Sequence, residues 1–281
     1  MTERQHRGRT RVLGVGILLL IATVAAVLIP RWGGAAAGGA DTNPVPTTTP
    51  TPTAVAGPIR LLGFGDSVMA GAGCDCDDFL TQVAAQLHRK TGRQVTATND
   101  GANGETAAGL LRDLRTDDAY RAEITRADVI VVTIGANDLG PALDAWNDEG
   151  CGSGCYQPRI VELGTTLSAI LTIIDRWKPA GTPVLVTTYW NVFEDGDVGA
   201  ADNGSGYLAW SDQVTRAANS AICRSARGAA ATCVDLYEPF KADGSKDPTR
   251  LLATDGDHPN EAGTTLIADV VAAAAERRLA D

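Results

Sequence analysis

The sequence is poor in positive charge, in histidine and in aromatic residues. Its 281 residues include 24 Lys and Arg against 34 Asp and Glu, so the formal net charge is −10. Because so acidic a chain repels phosphate backbones, we expect no nucleic-acid partner. Aromatic residues make up 5% of the chain and histidine occurs three times, which leaves few candidates for an imidazole base. Apolar residues at 44% and charged residues at 21% are otherwise typical of a globular protein.

Three familiar functional signatures are also absent. No glycine is followed by Lys and then Ser or Thr, which excludes a phosphate-binding P-loop. Gly63-Phe64-Gly65 resembles the start of a dinucleotide-binding loop, but Val68 occupies the position of its third glycine. Ser67 has Met69 where the nucleophile elbow of the α/β-hydrolases needs a second glycine. These absences disfavour nucleotide binding and the α/β-hydrolase arrangement.

One long hydrophobic run occurs, and it lies near the amino terminus. Residues 1–11 are basic, residues 12–29 carry no charge, and residues 30–57 are rich in Pro and Thr. A run of this length lies between a secretory signal, roughly 7–15 residues, and a spanning helix, roughly 17–25. Since basic flanks stay cytoplasmic, both alternatives export the rest of the chain, which is either anchored to the cell membrane by this helix or secreted after cleavage. Residues 30–57 are interpreted as a linker.

From residue 59 onward, strand and helix patterns alternate. Apolar runs predict strands at 59–63, 95–98, 129–134, 184–188 and 232–234. The stretches between and after them predict helices at 79–90, 105–115, 159–177, 207–226 and 261–278. This alternation implies right-handed crossovers and a parallel sheet covered on both faces. Residues 58–281 are therefore predicted to form one α/β domain whose ligand crevice lies beyond the carboxyl ends of the strands.

Candidate catalytic side chains follow these strand ends. Ser67 comes directly after the first strand, and a serine is a poor nucleophile until a base takes its proton. His258 is the candidate base, because the other two histidines lie in the basic amino-terminal segment and near the end of an amphipathic helix. Asp255 can fold back onto the far imidazole nitrogen and orient the ring. Asp257, which is adjacent to His258, is predicted to point elsewhere.

Two Gly/Asn clusters at the next strand ends offer groups to stabilise an oxyanion, namely the Gly104 N–H and the Asn137 amide, with the Ser67 N–H as a third donor. In chain order the motifs are Gly65-Asp66-Ser67, Gly104, Gly135-Ala136-Asn137-Asp138 and Asp255-Gly256-Asp257-His258-Pro259-Asn260. This series, spread over nearly all of residues 59–281, resembles the SGNH hydrolases, also called the GDSL esterase and lipase family.

The resemblance implies both a fold and an activity. The fold is a flavodoxin-like three-layer α/β/α sandwich with a five-stranded parallel sheet in the order 2-1-3-4-5, and it uses no cofactor or metal. The roles implied are Ser67 as nucleophile, His258 as base and Asp255 as its orienting partner, with Ser67, Gly104 and Asn137 as oxyanion-hole donors.

The function expected is an exported serine esterase that hydrolyses short-chain acyl or carbohydrate O-acyl esters through an acyl-enzyme. Its partners would be small-molecule, lipid or glycan esters, with membrane contact through the amino-terminal segment only, and the enzyme would be a monomer. The alternatives are a lipase, phospholipase or acyltransferase on the same scaffold, or a catalytically inactive module that binds cell-wall glycan.

All cysteines lie beyond the hydrophobic run. They are Cys74, Cys76, Cys151, Cys155, Cys223 and Cys233. An even number in an oxidising compartment favours disulfides, whereas a zinc site fits the C-x-C spacing of the first pair poorly. Cys223 and Cys233 are predicted to pair, because a short loop separates them. For the other four the sequence fixes no connectivity. Because their loops follow neighbouring strands, bonds between the two pairs are favoured over closure within each pair.

Two insertions near the predicted site, residues 139–157 and 189–210, contain acidic residues but no Lys or Arg. An acidic rim disfavours anionic lipid headgroups. The insertions also hold aromatic residues suited to a small acyl pocket or a sugar-stacking face, namely Trp146, Tyr189, Trp190, Phe193, Tyr207 and Trp210. The sequence therefore predicts a preference for short acyl chains on neutral or glycan alcohols.

Overall fold

The computed structural model describes residues 57–204 and 206–280. The predictions for residues 1–56, which include the hydrophobic run, lie outside these residues. Within the described ranges, no helix is both long and apolar enough to cross a membrane.

A five-stranded sheet in the order β2-β1-β3-β4-β5 forms the centre of the domain. Its strands are β1 (Ile59–Gly65), β2 (Val95–Gly101), β3 (Val129–Thr133), β4 (Val184–Thr187) and β5 (Thr232–Val234). Each neighbouring pair of strands is parallel. All five residues of β3 are buried, as expected for a central strand covered on both faces. The predicted α/β fold and strand order are confirmed.

Helices cover both faces of the sheet. They are α1 (Phe79–Thr91), α2 (Ala107–Thr116), α3 (Asp118–Ile124), α4 (Gly140–Glu149), α5 (Ser153–Trp177), α6 (Gly196–Asn203), α7 (Tyr207–Gly228), α8 (Tyr237–Lys241) and α9 (Glu261–Ala280). Helices α1 and α9 pack together, and α5 packs between α2 and α7. Crossovers between parallel strands are right-handed as a rule, so this strand order puts the first pair on one face of the sheet and the second group on the other. The short helices α3, α4, α6 and α8 are additions that the sequence pattern does not predict.

Local sequence signals set the ends of the helices. The Asp78 carboxylate accepts a hydrogen bond from the Thr81 N–H at 2.9 Å and begins α1. Gly92 ends this helix in the left-handed conformation, with φ of 68°. Thr106 begins α2 in the same way as Asp78, through its hydroxyl and the Gly109 N–H. These caps place the first residues of both helices next to the loops that follow β1 and β2.

The six cysteines form three local disulfides. Cys223 pairs with Cys233, which agrees with the expected bond between α7 and β5. Cys74 pairs with Cys76, and Cys151 pairs with Cys155. The expected bonds between these two pairs are wrong, because the loop of the first pair leads into α1 and that of the second leads into α5, on opposite faces of the sheet. With every thiol paired, none is left for a zinc ion.

Non-reducing peptide mapping by mass spectrometry tests this connectivity. We expect one cross-linked peptide pair containing residues 223 and 233. The other two bonds would each appear, in peptides that span both partners, as the loss of two hydrogens. A peptide that joins residue 74 or 76 to residue 151 or 155, or a free thiol, would contradict the structure.

A half-buried carboxyl pair, Asp100 of β2 and Glu123 of α3, joins these two elements. Burial, together with a hydrogen bond to Glu123 and its charge, raises the pKa of Asp100 to about 7. One oxygen of each carboxyl group has no donor among the described residues. The native state therefore holds a proton here between about pH 4 and 7 that the unfolded chain releases, so the stability contributed by this pair falls as pH rises through that window.

Glu123→Gln supplies a neutral donor to Asp100 and removes the need for that proton. We expect the melting temperature of the variant to fall less than that of the wild type between pH 5 and 8, and to exceed it at pH 8. One kcal/mol corresponds to roughly 2–4 °C in a domain of this size. Glu149→Gln, at an exposed position at the end of α4, is the control and should follow the wild-type curve. If the melting temperatures of Glu123→Gln and the wild type change in parallel with pH, the shared proton is refuted.

Candidate active site

Ser67 stands in a tight turn directly after β1. The Asp66 N–H donates to the Thr133 carbonyl of β3 at 3.0 Å, and the Ala70 N–H donates back to the Asp66 carbonyl at 3.0 Å. A Cβ at position 65 would lie 2.1 Å from the Thr133 oxygen, so only glycine permits this approach of the two strands. The position of Ser67 at the sheet edge is thus fixed by both β1 and β3.

The Asp66 side chain lies fully buried beneath this turn. Its carboxylate accepts hydrogen bonds from the Val68 N–H at 3.0 Å and from the Tyr189 hydroxyl. Burial raises the pKa of Asp66 to about 7, although both hydrogen bonds oppose the rise. Tyr189 follows β4, and its backbone is held by the Asn219 side chain through bonds of 3.0 and 2.7 Å. The sequence predicts Tyr189 at the rim of the site and not as the partner of Asp66. The only sequence signal for this partner is the Asp that directly precedes Ser67 at the end of an apolar strand.

A continuous series of hydrogen bonds links Ser67, His258 and Asp255. The Ser67 Oγ is 2.8 Å from His258 Nε2, and His258 Nδ1 is 2.8 Å from Asp255 Oδ2. The other Asp255 oxygen accepts the backbone N–H groups of Asp257 and His258, both at 3.0 Å. Although burial opposes it, these bonds lower the pKa of Asp255, so its carboxylate stays ionised near neutral pH.

The structure corrects the expectation for Asp257. Gly256 adopts φ of 69°, which turns the chain so that carboxylates stand on both sides of the imidazole ring. Asp257 Oδ2 lies 3.8 Å from His258 Nε2, and the side chain is 44% exposed. Burial raises the pKa of Asp257, as do the charges of Asp255 and Glu194, whereas His258 lowers it. Sequence reasoning missed this residue because it assumed an extended loop.

The expected oxyanion donors come from the loops after β2 and β3. The Asn137 side-chain amide donates to the Glu105 carbonyl at 2.9 Å, which joins the two loops. Gly104 precedes Glu105 with φ of 76°. The Asp138 carboxylate accepts the Ala107 N–H at 2.9 Å and strengthens the same junction. The second amide hydrogen of Asn137 has no acceptor in the described part of the chain, so it is available to a ligand.

A cavity of about 220 Å³ opens beside Ser67 and His258. Its lining also includes Asn137, Leu143, residues 189–194 and Asp257, and it contains no Lys or Arg. A larger groove of about 620 Å³ runs between α5 and α7, but it holds none of the candidate catalytic side chains. The cavity next to Ser67 is therefore the candidate substrate site.

Most of the rim aromatics pack against each other. Trp210 stacks on Trp146 at 4.7 Å and on Phe193 at 5.3 Å between ring centroids, and Tyr207 lies against both tryptophans. Of the six aromatic residues predicted at the rim, Tyr189, Trp190 and Phe193 line the cavity. The stacked cluster builds the wall behind them.

A buried ion pair holds this wall in place. Lys241 Nζ lies 2.6 Å from Asp195 Oδ2, and both side chains are almost fully buried. The other Asp195 oxygen accepts the Gly196 N–H at 2.8 Å and begins α6. The Asp195 N–H donates to the Gly256 carbonyl at 2.8 Å. Asp195 thus connects the cavity wall to the loop that carries His258.

On the other side of that loop, a Cβ at Gly73 would lie 2.4 Å from the His258 Cβ, so the disulfide loop after β1 packs closely against His258.

Comparisons with known proteins identify the family of this chain. Residues 64–266 match the model of the GDSL-like Lipase/Acylhydrolase family. The sequence has no significant match among curated proteins.

Solved structures share the fold. The lipase Lip_vut3 from a goat rumen metagenome is 18% identical with a TM-score of 0.66, over 77% of this chain and 97% of that chain. The lipase/acylhydrolase from Enterococcus faecalis is 18% identical with a TM-score of 0.54, over 78% and 96%. Axe2, an acetylxylan esterase from Geobacillus stearothermophilus, is 18% identical with a TM-score of 0.54, over 76% and 92%. Because the family model spans most of the chain, the protein belongs to the GDSL-like lipase/acylhydrolase family, as the sequence resemblance predicted.

Proposed function

We propose that the protein is an exported serine esterase that hydrolyses short-chain acyl or carbohydrate O-acyl esters through an acyl-enzyme on Ser67. The observation that carries this proposal is the series of hydrogen bonds from Ser67 through His258 to Asp255, with both side-chain distances at 2.8 Å. Nucleophilic ester cleavage requires a nucleophile, a base and an orienting carboxylate within hydrogen-bonding distance of one another.

The reaction would proceed in two halves. The Ser67 oxygen attacks the ester carbonyl while His258 Nε2 takes its proton, and Asp255 stabilises the imidazolium that results. The N–H groups of Ser67 and Gly104 and the Asn137 amide receive the oxyanion. The imidazolium then protonates the departing alcohol oxygen, which leaves an acyl group on Ser67. Water, deprotonated by the same nitrogen, attacks the acyl-enzyme and releases the acid and the free serine.

The cavity supports a small and uncharged or hydroxyl-rich substrate. Its volume of about 220 Å³ is too small to enclose a long acyl chain together with its alcohol. Glu194 and Asp257 contribute negative charge to it without a compensating Lys or Arg. The solved structures that share the fold include both lipases and an acetylxylan esterase. The acidic lining of this chain favours the carbohydrate ester over an anionic lipid.

The three disulfides support the export part of the proposal. Disulfides persist in oxidising compartments and are rare in a reducing cytosol. Export also agrees with the hydrophobic run at residues 12–29, which allows either a membrane anchor or a cleaved signal.

Substitution of the three linked residues tests the mechanism. We expect Ser67→Ala and His258→Ala each to lower kcat by roughly 10⁴-fold or more, because nucleophile and base fail as a unit. Asp255→Ala should retain about tenfold to hundredfold more activity than these two variants, since the orienting carboxylate contributes less to catalysis than the nucleophile or the base. Fluorophosphonate labelling should mark the wild type but not Ser67→Ala.

The control for these variants is Asp202→Asn, an exposed position on α6, which should retain wild-type kinetics. An active Ser67→Ala enzyme, or its labelling by the fluorophosphonate, would rule out Ser67 as the nucleophile.

A series of p-nitrophenyl esters tests the acyl preference. We expect kcat/KM to be highest for acetate to butyrate and to fall steadily toward dodecanoate, because a cavity of about 220 Å³ encloses only a short acyl chain. At low salt, kcat/KM should also be higher for neutral esters than for esters of anionic phosphoglycerol. This difference should shrink as rising ionic strength screens the carboxylates. Rates that peak at the dodecanoate, with activation at a lipid interface, would instead indicate a lipase.

A further inference from the structure

Asp257 has an unused carboxylate in the candidate site. No hydrogen-bond donor reaches its side chain in the described part of the chain, and its Oδ2 atom lies 3.8 Å from His258 Nε2. It lines the same cavity as Ser67, and with 44% of the side chain exposed it is open to a ligand. The mechanism proposed above gives it no role.

Its position places it beside the alcohol half of the substrate. His258 Nε2 is the atom that must protonate the departing alcohol oxygen, so that oxygen lies within hydrogen-bonding distance of it, about 2.7–3.2 Å. An acceptor 3.8 Å from the same nitrogen is adjacent to the first atoms of the alcohol beyond the ester oxygen.

The other side chains of the cavity wall that carry oxygen acceptors each have at least one partner. The Tyr189 hydroxyl donates to Asp66. The Asn191 amide donates to Ser211, and its oxygen accepts from Thr215 and from the Phe193 N–H. One Glu194 oxygen accepts from Asn203 at 2.9 Å. Asp257 is therefore the free acceptor nearest to the reacting atoms, and it calls for a donor on the substrate.

Building on the proposed function, we propose that Asp257 determines specificity by accepting a hydrogen bond from a hydroxyl on the carbon adjacent to the esterified carbon of the alcohol. The preferred alcohol is then a neutral polyol, such as a sugar or glycerol unit with a free neighbouring hydroxyl. A cationic group at that carbon would lie next to the imidazolium formed in the same step and be repelled by it. An anionic group would be repelled by Asp257 itself.

Matched acetate esters of small alcohols test this assignment in the intact protein. 2-Hydroxyethyl acetate and propyl acetate are nearly isosteric, and only the first carries the donor. 2-Methoxyethyl acetate keeps the oxygen but lacks its hydrogen. We expect the wild type to prefer the hydroxyethyl ester over both others by roughly tenfold or more in kcat/KM, the value of a hydrogen bond to a charged acceptor.

For each variant, the preference is measured as the ratio of kcat/KM for 2-hydroxyethyl acetate to kcat/KM for propyl acetate. This ratio cancels differences in folding and in intrinsic rate between variants. Asp257→Leu removes the acceptor at similar bulk and should bring the ratio close to one. Asp257→Asn keeps a neutral acceptor, should give an intermediate ratio, and also provides the result if the Leu variant fails to fold. Asp202→Asn, outside the cavity lining, should keep the wild-type ratio.

Three results would overturn the inference. They are a wild-type ratio near one, a ratio that persists in Asp257→Leu and Asp257→Asn, and a preference for acetylcholine over the hydroxyethyl ester that the Asp257 variants abolish. If the expected kcat/KM ratios are not observed while Ser67-dependent hydrolysis of p-nitrophenyl acetate persists, the inference is wrong and the proposed function holds. If no ester is cleaved in a Ser67-dependent way, both are wrong.

Discussion

The hydrogen bond from the Asp66 N–H to the Thr133 carbonyl is the contact on which the geometry of the candidate site depends. It forms only because Gly65 has no side chain to meet the Thr133 oxygen. With β1 and β3 held at this spacing, the turn presents Ser67 at the sheet edge. The same spacing buries the Asp66 carboxylate within reach of Tyr189, at the end of β4. One main-chain contact thus aligns groups from three adjacent strands.

The sequence predicted the sheet and the long helices because their patterns are local. Strand β3 is apolar along its length, and α1 carries its own caps. The short helices were missed because helices below about 12–15 residues are marginal on their own and depend on tertiary contacts. Helix α6 is capped at its amino terminus by Asp195, whose buried partner Lys241 lies 46 residues away. Strand β2 extends to Gly101 because this residue pairs with Gly65 of β1. A pairing between residues so far apart in the chain cannot be predicted from the local sequence.

The candidate triad was predictable for a different reason. Histidine is so scarce that His258 had few rivals, and a serine and a carboxylate at the right strand ends completed the set. The orientation of Asp257 was not predictable, since it depends on the positive φ of Gly256. Nor was the partner of Asp66, because Tyr189 is 123 residues away. The bond between Cys223 and Cys233 was predicted from its short loop, but the pairing of the other four cysteines was wrong. That pairing depends on which face of the sheet each loop enters, and the proximity of strands does not determine this.

The contacts of Asp195 have an evolutionary consequence. Enzymes built on parallel sheets often diversify by exchanging one loop while the others keep their chemistry. Here the loop that walls the cavity and the loop that bears His258 share a main-chain bond at Gly256 and are anchored through Lys241. A loop graft that replaced residues 189–203 would therefore disturb the base as well as the pocket. New specificities on this chain would arise more readily through single side-chain changes inside the cavity than by recombination of whole segments.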